Sequence, residues 1–172
     1  MTKHSHHHHD IDELGFGLLT VSSSRDQSDD SAGDAAATLV TEAGHIVAVR
    51  DLCVDRRTAI YRTVKRFIAN DSVDIVVTMG GTGVTPDDVT PDAVQPLFDR
   101  ELPGFGERFR ARSTADIGER VIASRATAGI AETVPIFCVP GSEPAVRLAV
   151  NELILPVGGH LAGLANRDTT DH

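Results

Sequence analysis

Three continuous apolar runs constrain this chain more than any other feature: "FGLLTV" at 16–21, "VDIVVTM" at 73–79 and "TVPIFCV" at 133–139. Each is too short for a buried helix and lacks the apolar–polar alternation of a half-solvated strand, so each reads as a strand buried on both faces. Helical patterns lie between them. "SAGDAAATLVTEAG" at 31–44 opens on Asp30 or Ser31 as a cap and stops at Gly44. "HIVAVRDLCV" at 45–54 follows as a further strand. In "DRRTAIYRTVKRFIAN", Ile60, Val64, Phe67 and Ile68 recur at helical spacing, with Asp55 at the expected N-cap. After the third run, "PGSEPAVRLAVNELILP" starts a helix with Pro144 in its first turn. Strand alternating with helix implies βα units, an α/β fold and a mostly parallel sheet covered on both faces. Residues 97–130 carry turn signals and short amphipathic pieces, and are expected as an excursion off that sheet.

With 172 residues the chain is about one domain long. The organisation expected is a His-rich tail or tag over 1–14, one domain over 15–165 and a flexible tail over 166–172. The His6–His9 run belongs to the first tail and carries no functional weight. A net charge of −9 excludes a nucleic-acid partner, because phosphate backbones require clustered Lys and Arg. Lys3 and Lys65 are the only lysines, and aspartate is abundant, a balance resembling that of proteins from a high-salt cytoplasm. Cys53 and Cys138 have no metal-ligand spacing and read as buried thiols in a reducing compartment, unpaired with each other. No apolar run approaches the roughly 20 residues of a membrane span. With no secretion signal, a cytoplasmic location and no membrane partner are expected.

Immediately after the second run comes "MGGTGVTPDDVTPD" at 79–92. Gly80, Gly81 and Gly83 let a ligand approach bare main chain, where successive N–H groups can converge on an anion. Thr90 as a cap and Pro91 as first residue would add a helix start behind it. A single strand-to-helix turn would explain one glycine but not three. The loop lacks the Gly-Lys-Ser/Thr ending of a Walker motif, and Pro86 breaks the dinucleotide pattern. Asp88 would repel a phosphate unless a divalent cation stood between them, the way Mg²⁺ is usually held. Asp87 is accounted for as a turn residue.

"GGTGVTPDDVTPDA" resembles the loop of the molybdopterin adenylyltransferases, the MogA/MoaB family of molybdenum cofactor biosynthesis. The likeness extends through "LFDRELPGFGERFR" at 97–110, "SRATAGI" at 124–130 and "VPGSEPAV" at 139–146, and is closer to the MoaB branch. It implies a three-layer α/β/α domain that joins molybdopterin to ATP, giving adenylylated molybdopterin and pyrophosphate with Mg²⁺. The product then serves the insertion of molybdenum, or of tungsten in some organisms. Carried onto this chain, the resemblance puts the functional acid at Asp88 and a second acid at Asp55, both as catalytic residues and metal ligands. It puts a pterin-side serine at Ser113, and the nucleotide-side turn at Pro140, Gly141 and Ser142. Gly80, Gly81, Thr82 and Gly83 would hold phosphate, and Ser22 would help orient the substrates. "TVSSSR" departs from the family's Val-Ser-Asp/Asn-Arg at position 23. The resemblance further implies a homo-oligomer, trimer or hexamer, working beside other cofactor-biosynthesis enzymes. Two other readings stand: a non-catalytic molybdopterin-binding or scaffold paralogue, and a generic nucleotide-binding α/β module. "LILPVGGHLAGL" at 153–164 is core helix or subunit contact, and His160 within it is no ligand.

Overall fold

The computed structural model describes residues 11–26 and 28–167. The His6–His9 run and the last residues of the expected C-terminal tail lie outside them. Within the expected N-terminal tail, Ile11 and Leu14 pack against the domain while Asp12 and Glu13 are exposed. Leu14 is fully buried, and the Ile11 N–H donates to the Gly159 carbonyl at 3.4 Å.

Six strands form one sheet in the order β2-β1-β3-β6-β5-β4. β1 (Gly15–Val21), β3 (Ile75–Met79) and β6 (Val134–Val139) are the three apolar runs, buried at every position. They pair in parallel, and β2 (Ile46–Cys53) joins β1 in parallel as the edge. The edge position explains why β2 is only half-buried. From β1 the chain crosses to β2 through α1 (Ser31–Glu42) and returns past β1 to β3 through α2 (Arg57–Ile68). Right-handed crossovers in opposite directions put these helices on opposite faces of the sheet.

Strand alternation divides the core accordingly. Phe16, Leu18, Ile75, Val77, Phe137 and Val139 pack on the face of α1 and the C-terminal helix. Leu19, Val21, Val76, Ile136 and Cys138 pack on the face of α2. The three-layer α/β/α arrangement is therefore present. Asp30 caps α1 as expected, its Oδ1 accepting from the Gly33 N–H at 3.0 Å. Its Oδ2 accepts from Thr20 Oγ1 at 2.7 Å and Arg50 Nη2 at 2.9 Å, which ties β1, α1 and β2 together.

Residues 97–130 are less of an excursion than their sequence implies. β4 (Arg100–Glu101) and β5 (Thr127–Ala131) extend the sheet, and β5 pairs antiparallel with β6. Between them α4 (Pro103–Ile117) covers the α1 face. The sheet is mixed for this reason.

The C-terminal helix also corrects an expectation. Glu143–Ala165 runs unbroken for 23 residues at mean hydropathy 1.4, long and apolar enough to span a membrane by those measures alone. It comprises α5 (Glu143–Arg147), a π-helical stretch Leu148–Ile154 and α6 (Leu155–Ala165). Val146, Ala149, Val150, Ile154 and Ala162 pack into the core, so it is a core helix of this fold. A side chain at Gly158 would begin 2.9 Å from Ile75 Cδ1, so the small residue lets helix and sheet approach.

Candidate functional site

In open α/β sheets, ligands collect at the carboxyl ends of strands where the strand order reverses. Here that point lies between β1 and β3, where the chain places Ser22 and the glycine loop. The loops after β1, β3 and β6 meet there. Gly80 has φ +113° and Gly81 φ +68°, both in the left-handed region. A methyl on Gly80 would lie 2.3 Å from the Val21 carbonyl oxygen, and one on Gly141 3.1 Å from Gly80 Cα. The three loops thus touch main chain to main chain.

Thr90 corrects the expected cap. The first residue outside α3 (Thr90–Val94) is Val89, which makes no side-chain capping bond, and α3 is only 5 residues long. So short a helix adds little positive end to the site. The Thr90 N–H donates instead to the Gly81 carbonyl at 3.0 Å. Its hydroxyl is buried without a hydrogen-bond partner among the described residues. It stands 2.3 Å from where a Gly81 methyl would be, so position 81 has no room for a side chain.

Asp88 folds over its own loop. Oδ2 accepts from the Thr85 N–H at 2.9 Å and from Thr85 Oγ1 at 2.6 Å. Burial pushes its carboxyl pKa up, but the Thr85 bonds, the Gly83 N–H and the Arg125 charge outweigh that and hold it below the usual range. Asp88 is therefore ionised at neutral pH. Asp55 is not the helix cap that its position suggests; that place falls to Arg56. The Asp55 carboxylate accepts from Ser23 Oγ at 2.9 Å, and its N–H donates back to the same oxygen at 3.1 Å. Position 23, where the sequence departs from its family, thus anchors the second acid. Asp55 Oδ1 lies 3.5 Å from the Gly81 methyl position, and Asp88 Oδ2 lies 2.7 Å from the Gly83 one. The two carboxylates flank successive parts of one loop. Among the described residues no group of three or more His, Cys, Asp or Glu side chains is arranged to hold a metal.

Of the remaining site residues, Ser22 Oγ accepts from the Arg25 N–H at 3.1 Å and closes the loop after β1. Thr82 is only 3% exposed, so its side chain offers a ligand almost no surface. Its carbonyl accepts from the Arg125 N–H at 2.8 Å. Ser113, Pro140 and Ser142 come together elsewhere, lining a cavity of about 130 Å³ with Phe109, Val121 and Leu148. Ser142 Oγ also accepts from the Ala145 N–H at 3.4 Å, capping α5. Gly141 stands between this cavity and the glycine loop, so the expected residues form two adjoining groups.

Sequence reasoning singled out neither Arg125 nor Arg25. Arg125 donates from Nε to the Gly83 carbonyl at 2.8 Å, and from Nη2 to the Asp88 carbonyl and to Asp92 Oδ2, the last at 3.0 Å. Arg25 Nη1 donates to the Gly141 carbonyl at 3.0 Å. Arg125 lies within the "SRATAGI" stretch, but nothing local marks it as a partner of a loop some 40 residues away. Both cysteines are free, and burial raises the thiol pKa of Cys53 to about 11 and of Cys138 to about 12, so neither is reactive.

Residues 14–160 match a family model described as "Probable molybdopterin binding domain". Molybdenum cofactor biosynthesis protein B of Bacillus subtilis is 41% identical over 152 residues, covering 88% of this chain and 89% of that one. The Escherichia coli K12 protein of the same name is 44% identical over 141 residues, covering 82% and 83%. A crystal structure of a molybdenum cofactor biosynthesis protein B superposes with a TM-score of 0.88 at 39% identity, over 91% of this chain and 98% of that one. The tungsten cofactor synthesizing protein MoaB of Pyrococcus furiosus gives 0.77 at 32% identity, over 91% and 99%. Loop, sheet order and sequence agree along nearly the whole chain, which belongs to the MoaB branch of the MogA/MoaB family of molybdenum cofactor biosynthesis proteins.

Proposed function

We propose that this chain transfers AMP from ATP to molybdopterin, giving adenylylated molybdopterin and pyrophosphate. The observation that carries this reading is the glycine loop at the β1–β3 switch point, with the carboxylates of Asp55 and Asp88 on either side of it. An oxygen of the pterin's terminal phosphate attacks the α-phosphorus of ATP, the bond to the β-phosphate oxygen breaks, and pyrophosphate leaves. A phosphate oxyanion is already nucleophilic, so no general base is required, and catalysis rests on alignment and charge neutralisation.

Asp55 and Asp88 fit a divalent cation: Ser23 and Thr85 each occupy Oδ2, leaving Oδ1 of both carboxylates for other partners. Mg²⁺ held there would neutralise charge on the triphosphate. Of the expected phosphate donors, the Gly80 N–H is taken by the Val139 carbonyl at 2.9 Å and the Gly83 N–H by the Asp88 carboxylate, so the phosphate would meet the main chain at Gly81 and Thr82. Ser22 helps orient the substrates, Pro140, Gly141 and Ser142 form the nucleotide-side turn, and Ser113 faces the pterin across the cavity it shares with Pro140 and Ser142. The site is cytoplasmic in this reading, with enzymes that make molybdopterin and consume the product as neighbours. We propose a homo-oligomer, trimer or hexamer, supported by an apolar groove of about 420 Å³ between α4 and α6, lined by Leu102, Phe105, Leu153, Val157 and Leu161.

The test is incubation of the protein with ATP, Mg²⁺ and molybdopterin, scored by pyrophosphate release. One pyrophosphate per adenylylated pterin is expected. Molybdopterin binding without release would instead favour a non-catalytic carrier, a reading drawn from the engagement of Asp88 within its own loop.

A further inference from the structure

The two arginines at the glycine loop differ in how much of their donor capacity the protein uses. Arg125 is the more committed: Nε and Nη2 span the Gly83 carbonyl, the Asp88 carbonyl and the Asp92 carboxylate, so its charge is paired and it fastens the loop. Arg25 is half-buried too, yet donates from Nη1 to the Gly141 carbonyl alone. Among the described residues no carboxylate pairs with it within 4.0 Å, although arginines 50, 57, 66, 112, 125 and 147 all have one. Most of its fork of N–H donors is unspent, and a partly desolvated cation is costly unless an anion or further acceptors meet it.

Its position gives those donors a use. A methyl on Gly141 would lie 4.0 Å from Arg25 Nη1 and 3.1 Å from Gly80 Cα, so guanidinium and glycine loop flank the same point. The glycine-loop side of that point carries the acids Asp55 and Asp88 and bare main chain. We infer that Arg25 contacts a phosphate of the bound substrate. Its planar fork matches phosphate oxygens, and it supplies the positive charge that the loop's own residues lack. The inference rests on the transferase reading and names the cation that this reading otherwise leaves out. The phosphate belongs either to ATP or to the terminal phosphate of molybdopterin.

Calorimetric titration of wild type, Arg25→Ala and Arg25→Lys with ATP–Mg²⁺ and, separately, with molybdopterin tests it. Arg25→Ala is expected to weaken one ligand by about 10- to 100-fold and leave the other unchanged, which identifies the phosphate. The affinity of that ligand should also lose part of its dependence on salt. Arg25→Lys should recover part of the loss, since it keeps the charge and gives up the fork. Wild-type affinity for both ligands in Arg25→Ala overturns the inference and leaves the transferase reading standing. Equal weakening of both ligands with a lowered ligand-free melting temperature also overturns it, assigning Arg25 to the Gly141 bond alone. A wild type that binds neither ligand removes the reading and the inference together.

Discussion

The mouth at the β1–β3 end and the groove between α4 and α6 make opposite use of their residues. The groove holds about 420 Å³, and Leu102, Phe105, Leu153, Val157 and Leu161 line it, with Glu101, Arg108 and His160 at its edge. The mouth is built from glycine main chain, with Ser23, Arg25 and Arg125 each tied to another loop and Asp88 folded onto its own. An apolar lining suits burial against a protein surface, whereas bare main chain beside two carboxylates suits a phosphate carried with a cation. The chemistry of the lining separates a reaction site from a contact surface here.

Substitutions at the two places should separate accordingly. The largest effect is expected at the mouth: Asp88→Asn should cut pyrophosphate release by roughly 1,000-fold while molybdopterin binding persists, as seen by calorimetry. Near-normal turnover would remove the metal-holding role. Next is the support behind the mouth. Asp30 is only 2% exposed; burial raises its carboxyl pKa, but bonds from Arg50, Thr20 and the Gly33 N–H outweigh that and hold it below the usual range. A depressed folded-state pKa adds stability that is full above the unfolded value of about 3.9 and fades as pH falls through the folded one. Asp30→Ala should cost about 2–3 kcal/mol at neutral pH and flatten the acid limb of a melting profile. An unaltered acid limb would show that other carboxylates govern it.

Arg125→Ala should loosen the loop without touching a ligand, weakening ATP by about tenfold and leaving Asp88 in place. A loss as deep as that of Asp88→Asn would make Arg125 a contact residue rather than a fastener. The smallest effect belongs to the groove. Val157→Ser, at a 41% exposed position, should change stability by less than about 0.5 kcal/mol and leave ATP affinity intact while shifting sedimentation towards smaller species. If affinity fell with assembly, mouth and groove would be coupled and the contrast between them would fail.

The central strands could be read directly because burial on both faces writes an uninterrupted apolar run. β5 could not. "TAGIA" is short and built of small residues, and a side chain at Gly129 would meet Phe98 at 2.3 Å, so its size is set by a distant ring. The hairpin joining β5 to β6 turns through Glu132 at φ +55°, a conformation that glycine or asparagine usually announces. Without that signal the antiparallel pair was invisible. At the site, the glycine loop was legible since three glycines in four residues have few structural excuses. Asp55 was legible as an acid but misplaced as a cap, because its partner Ser23 stands 32 positions earlier. Arg25 and Arg125 escaped notice for the same reason: the acceptors that place them at the loop are distant backbone carbonyls, which leave no trace in composition.

The contact between Gly80 and Gly141 bears on how this chain can vary. The obstacle to a larger residue is backbone at both positions, the Val21 carbonyl at Gly80 and the Gly80 Cα at Gly141, which no exchange of side chains elsewhere can trim. In a saturation library both positions should therefore stay fixed, without second-site suppressors. The loop after β6 can drift in sequence on either side of that point, but not at it.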